Sequence, residues 1–144
     1  MKEYNLTRFL SAQEATVDGY SQALAEIRSG RKVHHWIWYI FPQIARLGYS
    51  ETARYYAIKD MNEAKAFLEN STLKKNLVEI SQALLEVDSD DAVRVMGWPD
   101  NLKLKSSMTL FALAEPGCEV FQKVLDKFFQ GEKDEKTIGI LFNQ

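Results

Sequence analysis

Apolar positions recur at spacings of three and four along almost the whole chain. Tyr20, Leu24 and Ile27 stand at i, i+4 and i+7, with Gly30 just beyond as a stop. Leu73, Leu77, Ile80 and Leu84 form the clearest stripe, and Val120, Phe121, Val124, Leu125 and Phe128 form another that Gly131 closes. Each stripe predicts a helix with one buried face. Shorter stripes follow good capping residues. Asp60 with Glu63 has capping-box spacing ahead of Ala64, Phe67 and Leu68, and Asp134 precedes Ile138, Leu141 and Phe142. Leu6, Phe9 and Leu10 suggest a first short helix. Ser50 is a predicted cap for a helix through Ala57, with Glu51 in its first turn. Asp90 is expected to open a short helix closed by Gly97, and Asp100 to cap one running to about Ala114, where Pro116-Gly117 breaks it. Sustained period-2 alternation and Asn-Gly hairpin signals are missing. The expected fold is all-α: residues 1–144 as a single compact domain of about seven or eight short helices. His34–Phe41 suits a buried strand as well as a helix.

Composition narrows the classes. The 144 residues are 46% hydrophobic and 12% aromatic, which excludes a disordered chain. A net charge of −2 gives little pull on phosphate backbones or anionic lipid, so neither nucleic acid nor membrane is an expected partner. The lone Cys118 excludes an internal disulfide and fits a reducing compartment. Met1–Asn5 is polar, and the longest apolar run, Trp36–Phe41, is too short to span a bilayer; the expected location is cytoplasmic. Gly-x-Gly-x-x-Gly, Walker, His-Glu-x-x-His and Gly-x-Ser-x-Gly motifs are missing, so no cofactor is expected. His34 and His35 are adjacent and diverge, with no Cys or carboxylate three or four residues away, so no metal site is expected. Glu86, Asp88, Asp90 and Asp91 lack EF-hand spacing.

Two stretches look unlike ordinary core. From Val33 to Ala45 there is no charged residue, although the segment holds Trp36, Trp38 and Tyr39. Such a stretch has two buried faces, or one buried face and one lining a pocket. An aromatic wall with polar tips suits a flat ligand. Along Pro99–Phe111, steps of three and four align Asp100, Lys103, Ser107 and Phe111, with Ser106 and Thr109 on a neighbouring strip. Hydroxyls and a lysine near a helix N-terminus would hold an anion. Arg46 and Arg54 would grip an acidic group, or simply be solvated. The plain alternative for both stretches is a core helix and a capped, solvated helix end.

His35-Trp36-Ile37-Trp38-Tyr39-Ile40-Phe41-Pro42-Gln43, then Leu47-Gly48-Tyr49-Ser50, Tyr56-Ala57-Ile58, and Asp100 through Phe111 together resemble a bacterial domain-of-unknown-function family, number 1810, whose members often carry an automatic calpastatin label. The likeness runs in order from about Phe9 to Phe129. It implies a mainly helical single domain and no established activity. Its recurring residues fall here on His35, Trp36, Trp38, Phe41, Pro42, Gln43, Gly48, Ser50, Tyr56, Asp100, Lys103, Ser106, Ser107, Thr109 and Phe111. The calpastatin label conflicts with an aromatic-rich, core-forming composition, since such inhibitors are disordered.

Three functional readings follow. The first is a site for a small anionic aromatic, nucleotide-like ligand between residues 35–43 and 100–111, with Trp36, Trp38, Gln43, Tyr56, Lys103, Ser106, Ser107 and Thr109 as its contacts. The second is a hydrolase or glycosidase acting on such a ligand, with His35 or Asp100 as acid/base. The third is a protein–protein module or homodimer using an exposed aromatic patch.

Overall fold

A computed structural model describes residues 4–143; the polar Met1–Glu3 and Gln144 lie outside the described residues. The chain is all-α, as the stripes predict. Among the described residues there are ten helices, seven of them seven residues or longer, and one isolated parallel bridge between Ile44 and Ile58. They are α1 (Thr7–Glu14), α2 (Tyr20–Arg28), α3 (Ile37–Ile40), α4 (Glu51–Tyr56), α5 (Met61–Glu69), α6 (Ser71–Glu86), α7 (Ala92–Met96), α8 (Asp100–Ala114), α9 (Val120–Phe129) and α10 (Glu135–Phe142). Among the described residues no helix is long and apolar enough to cross a membrane.

The architecture is arranged around α8. From Ser106 to Ala112 every residue of α8 is buried, because α9, α5, α7, α10 and α3 all pack on it. That explains why α8 lacks an amphipathic stripe: over its second half the helix is enclosed and has no outer face to mark. α6 and α9 form a second contact layer, with α2 and α1 on the other side of α6. One aromatic ladder threads the core. Tyr39 meets Tyr56 at 5.0 Å, Tyr56 meets Phe9 at 6.0 Å, Phe9 meets Phe67 at 5.1 Å, Phe67 meets Phe111 at 5.1 Å, and Phe111 meets Phe121 at 6.0 Å. Contacts of this kind contribute about 0.5–1.5 kcal/mol each beyond burial.

The helix ends follow local chemistry. Gly30 (φ 93°) closes α2 as a Schellman motif, with its N–H on the Ile27 carbonyl and that of Arg31 on the Glu26 carbonyl. Ser50, Asp60 and Asp134 cap α4, α5 and α10 as expected, each accepting a backbone N–H three residues on. Asn70 both ends α5 and caps α6, so two helices meet at one residue. The far end of α6 is held by Lys127, whose ammonium donates to the carbonyls of Leu84, Leu85 and Val87.

Three expectations are corrected. The cap of α7 is Asp91, whose carboxylate accepts from Val93 and Arg94, and not Asp90. Asp100 is not the cap of α8: Pro99 holds that position without a side-chain bond, and the Asp100 carboxylate turns to lysines instead. His34–Phe41 is neither strand nor full helix, since only Ile37–Ile40 makes a helical turn. Its Trp36 side hydrogen-bonds to Glu26, and this tertiary demand overrides local propensity.

Candidate functional site

Trp36 and Trp38 flank the start of the α3 turn and diverge, because residues two apart on a helical turn face opposite sides. Trp36 is fully buried, and its Nε1 donates to Glu26 Oε1 at 2.9 Å. Glu26 also accepts from the backbone N–H of Val33 and His34 and meets the His34 ring at Nδ1. Burial alone would raise the Glu26 carboxyl; these donors outweigh it and draw its pKa down to about 2. Beside them, Lys32 lies 2.8 Å from Asp100 and 5.1 Å from the centre of the Trp36 ring. The corner is closed, and Asp100 belongs to it.

Trp38 faces the other way, into a cleft of about 1130 Å³. Three regions far apart in sequence form the walls. Trp38, Gln43 and the Leu47–Ser50 turn make one; Pro99, Leu102, Lys103, Lys105 and Ser106 of the α8 start make another; Glu132–Lys136 and Ile138, leading into α10, make the third. Gly48 is required in the turn, since a Cβ there would come within 2.6 Å of the Ala53 Cβ. The Lys103 ammonium lies 5.1 Å from the Trp38 ring centre and 3.4 Å from Asp100. A small adjoining recess shares Trp38 and Gln43 with the cleft and adds Tyr56.

Of the residues expected from the sequence, Trp38, Gln43, Lys103 and Ser106 thus line the cleft, and Tyr56 the recess beside it. The structure does not bring the others there. Trp36 is core. His35 is solvent-exposed; it and the half-buried Asp100 both stand outside the cleft lining. Ser107 is fully buried, with its Oγ unpartnered. Thr109 is fully buried, donating to the Lys105 carbonyl and accepting from the Asp134 N–H.

Of the three expected hydroxyls only Ser106 meets an anion, and the chain supplies it. Ser106 Oγ donates to Asp134 Oδ2 at 3.1 Å, and Thr137 Oγ1 donates to the same oxygen at 2.6 Å. Asp134 thereby ties the α10 start to α8 and fixes the third wall. Sequence reasoning missed that whole wall, along with Leu47 and Tyr49. Local signals mark Asp134 only as a helix cap and not Glu132–Lys136 as a wall, because the place of that stretch is set by the Ser106–Asp134 contact across 28 positions. No cluster of three or more His, Cys, Asp or Glu suited to a metal occurs among the described residues.

Fold and site define an all-α protein with an open, aromatic-walled, lysine-rimmed cleft. The chain belongs to the family described as Protein of unknown function (DUF1810), whose model matches residues 3–141. It is similar to the crystal structure of a conserved hypothetical protein from Mycobacterium tuberculosis, at 37% identity and a TM-score of 0.92, over 96% of this chain and 97% of that one. Neither match carries the calpastatin label. A search of curated proteins finds no match.

Proposed function

We propose that the cleft binds a small anionic ligand bearing a flat aromatic ring, nucleotide-like in character. The observation that carries this reading is the half-buried Trp38 ring under Lys103 on the wall of a cleft of about 1130 Å³. A tryptophan on the wall of a concavity offers ring surface that the core does not fully use. Gln43 supplies a donor and an acceptor beside it, suited to a ring edge. The lysine rim supplies the preference for negative charge. Free Cys118 fits the cytoplasmic location that such a ligand implies. The hydrolase reading gains no comparable support, since His35 and Asp100 both stand outside the cleft lining.

Thermal unfolding with a panel of nucleosides and nucleotides tests the proposal. At least one nucleotide should raise the melting temperature of the wild-type protein, and Trp38→Ala should remove that rise. Failure of every compound to stabilise the protein at roughly millimolar concentration would overturn it.

A further inference from the structure

The cleft continues past Tyr49. A second hollow of about 490 Å³ shares Leu47, Tyr49 and Lys136 with it and adds Arg46 and Ile140. The cations of the two hollows differ. In the first, each lysine but the shared Lys136 has a neighbour: Lys103 lies 3.4 Å from Asp100, Lys105 lies 3.8 Å from Glu132, and Lys133 donates to Gln122 at 2.9 Å. In the second, the side chains of Arg46 and Lys136 make no ion pair or hydrogen bond among the described residues. Between the hollows stands Tyr49, its side chain largely in solvent.

The backbone adds an independent observation. Arg46 has φ 78°, in the left-handed region that a long side chain enters only at a cost. Among the described residues two other non-glycines share that sign, and both have ordinary reasons. Gln130 ends α9 in a left-handed cap, and Asp18 is of a type that enters this region readily. At Arg46 a glycine would satisfy the backbone without strain, yet the chain carries a guanidinium. Backbone strain of this sort gathers at ligand sites, where the side chain justifies it.

We infer that Arg46 and Lys136 form a phosphoryl subsite at the far end of the cleft, so that the ligand is a flat ring with a phosphorylated tail, in the class of a nucleoside polyphosphate. The inference rests on reading the cleft as a ligand site. The ring lies at Trp38, the tail crosses beside Tyr49, and Arg46 takes phosphoryl oxygens through its planar fork while Lys136 adds a point charge. A free base or nucleoside leaves this end empty.

The test uses inorganic pyrophosphate, ADP and adenosine at low ionic strength, titrated into wild-type protein, Arg46→Gly and Lys136→Gln. Phosphorus NMR follows the first two ligands, and tryptophan fluorescence follows the nucleoside and the nucleotide. Arg46→Gly should fold and melt at a higher temperature than wild type, because glycine relieves the left-handed strain. It should bind pyrophosphate and ADP about tenfold more weakly and leave adenosine unchanged. Lys136→Gln, at an exposed site, should weaken the same two ligands and serves equally if Arg46→Gly fails to fold. Absence of pyrophosphate binding to wild type at about 10 mM, or pyrophosphate affinity unchanged in the variants, overturns the inference. If ADP binds and neither variant weakens it, the cleft reading survives and the subsite falls. If pyrophosphate binds through Arg46 while neither ADP nor adenosine changes a tryptophan fluorescence signal that Trp38→Phe removes, the subsite stands and the ring site falls.

Discussion

Trp36 and Trp38 are two residues apart, and each lies under a lysine ammonium 5.1 Å from its ring centre: Lys32 for Trp36, Lys103 for Trp38. The contact is the same, and the surroundings are opposite. Trp36 is fully buried with its N–H on Glu26, and the Lys32 side chain is 6% exposed and 2.8 Å from Asp100. Trp38 is half-buried on an open cleft, and the Lys103 side chain is 27% exposed, with only a loose 3.4 Å approach to the same carboxylate. Asp100 joins the two corners, one oxygen toward each lysine. A lysine over a tryptophan therefore says nothing by itself about function. What separates a structural lock from a ligand platform is whether the other partners of both groups are already filled.

Substitution at the two tryptophans should separate the corners most widely. Trp36→Ala removes a fully buried ring and leaves Glu26 without one of its donors, so urea unfolding should show a loss of about 3–5 kcal/mol. Trp38→Ala should cost less, about 2 kcal/mol, since that ring is only partly buried against the core. Equal losses at the two positions would break the comparison.

The lysines should repeat the contrast at lower amplitude. Lys32→Met strands the Asp100 carboxylate in a mostly buried setting with one weak neighbour, and should cost about 2–3 kcal/mol by the same measurement. A cost near zero would show that Lys103 swings over to replace it.

Much of the fold was legible because local signals and tertiary packing agree in it. The stripes at Leu73–Leu84 and Val120–Phe128 fall inside α6 and α9, and the caps at Ser50, Asp60 and Asp134 need only nearby backbone. Legibility failed where a distant partner decides. Asp100 has the right residue type to cap α8, but Lys32, 68 positions away, takes its carboxylate. The site was half legible for the same reason. An uncharged aromatic run suggests a buried or pocket-lining segment, but it does not say which tryptophan turns inward, and Val33, His34 and His35 at its start are exposed. Ser106 meets a carboxylate, but it is Asp134 of the chain itself, and Thr109 meets only the backbone N–H of that residue.

Glu26 sharpens the closed corner through pH. Its folded pKa of about 2 lies below the ordinary value of 4.5, so between those values the unfolded chain holds more protons. The stabilisation from its ionised form is complete above pH 4.5 and is lost as pH falls toward 2. Glu26→Gln can keep an amide oxygen at the Oε1 position for Val33, His34 and Trp36, but it loses the charge that strengthens those three bonds and sets an N–H₂ at the Oε2 position against the His34 ring. Urea unfolding at neutral pH should show a loss of about 2 kcal/mol, and the gap from wild type should narrow steadily as the acid limit is approached. A gap that stays constant with pH would mean that the loss comes from packing, with the charge uninvolved.

Lys103→Met should change stability least and binding visibly. The ammonium is partly solvated, its approach to Asp100 is long, and Asp100 keeps Lys32 when it is gone. Exposed pairs of this kind contribute about 0–1 kcal/mol, and the methionine stem can still cover the Trp38 ring. Unfolding should therefore shift by no more than about 0.5 kcal/mol. For a nucleotide that stabilises the wild-type protein, however, the cleft loses a charge beside the ring, and affinity should fall while that of the matching nucleoside changes little. A variant that loses stability like Lys32→Met would place Lys103 in the framework, and Trp38 would then be as closed as its neighbour.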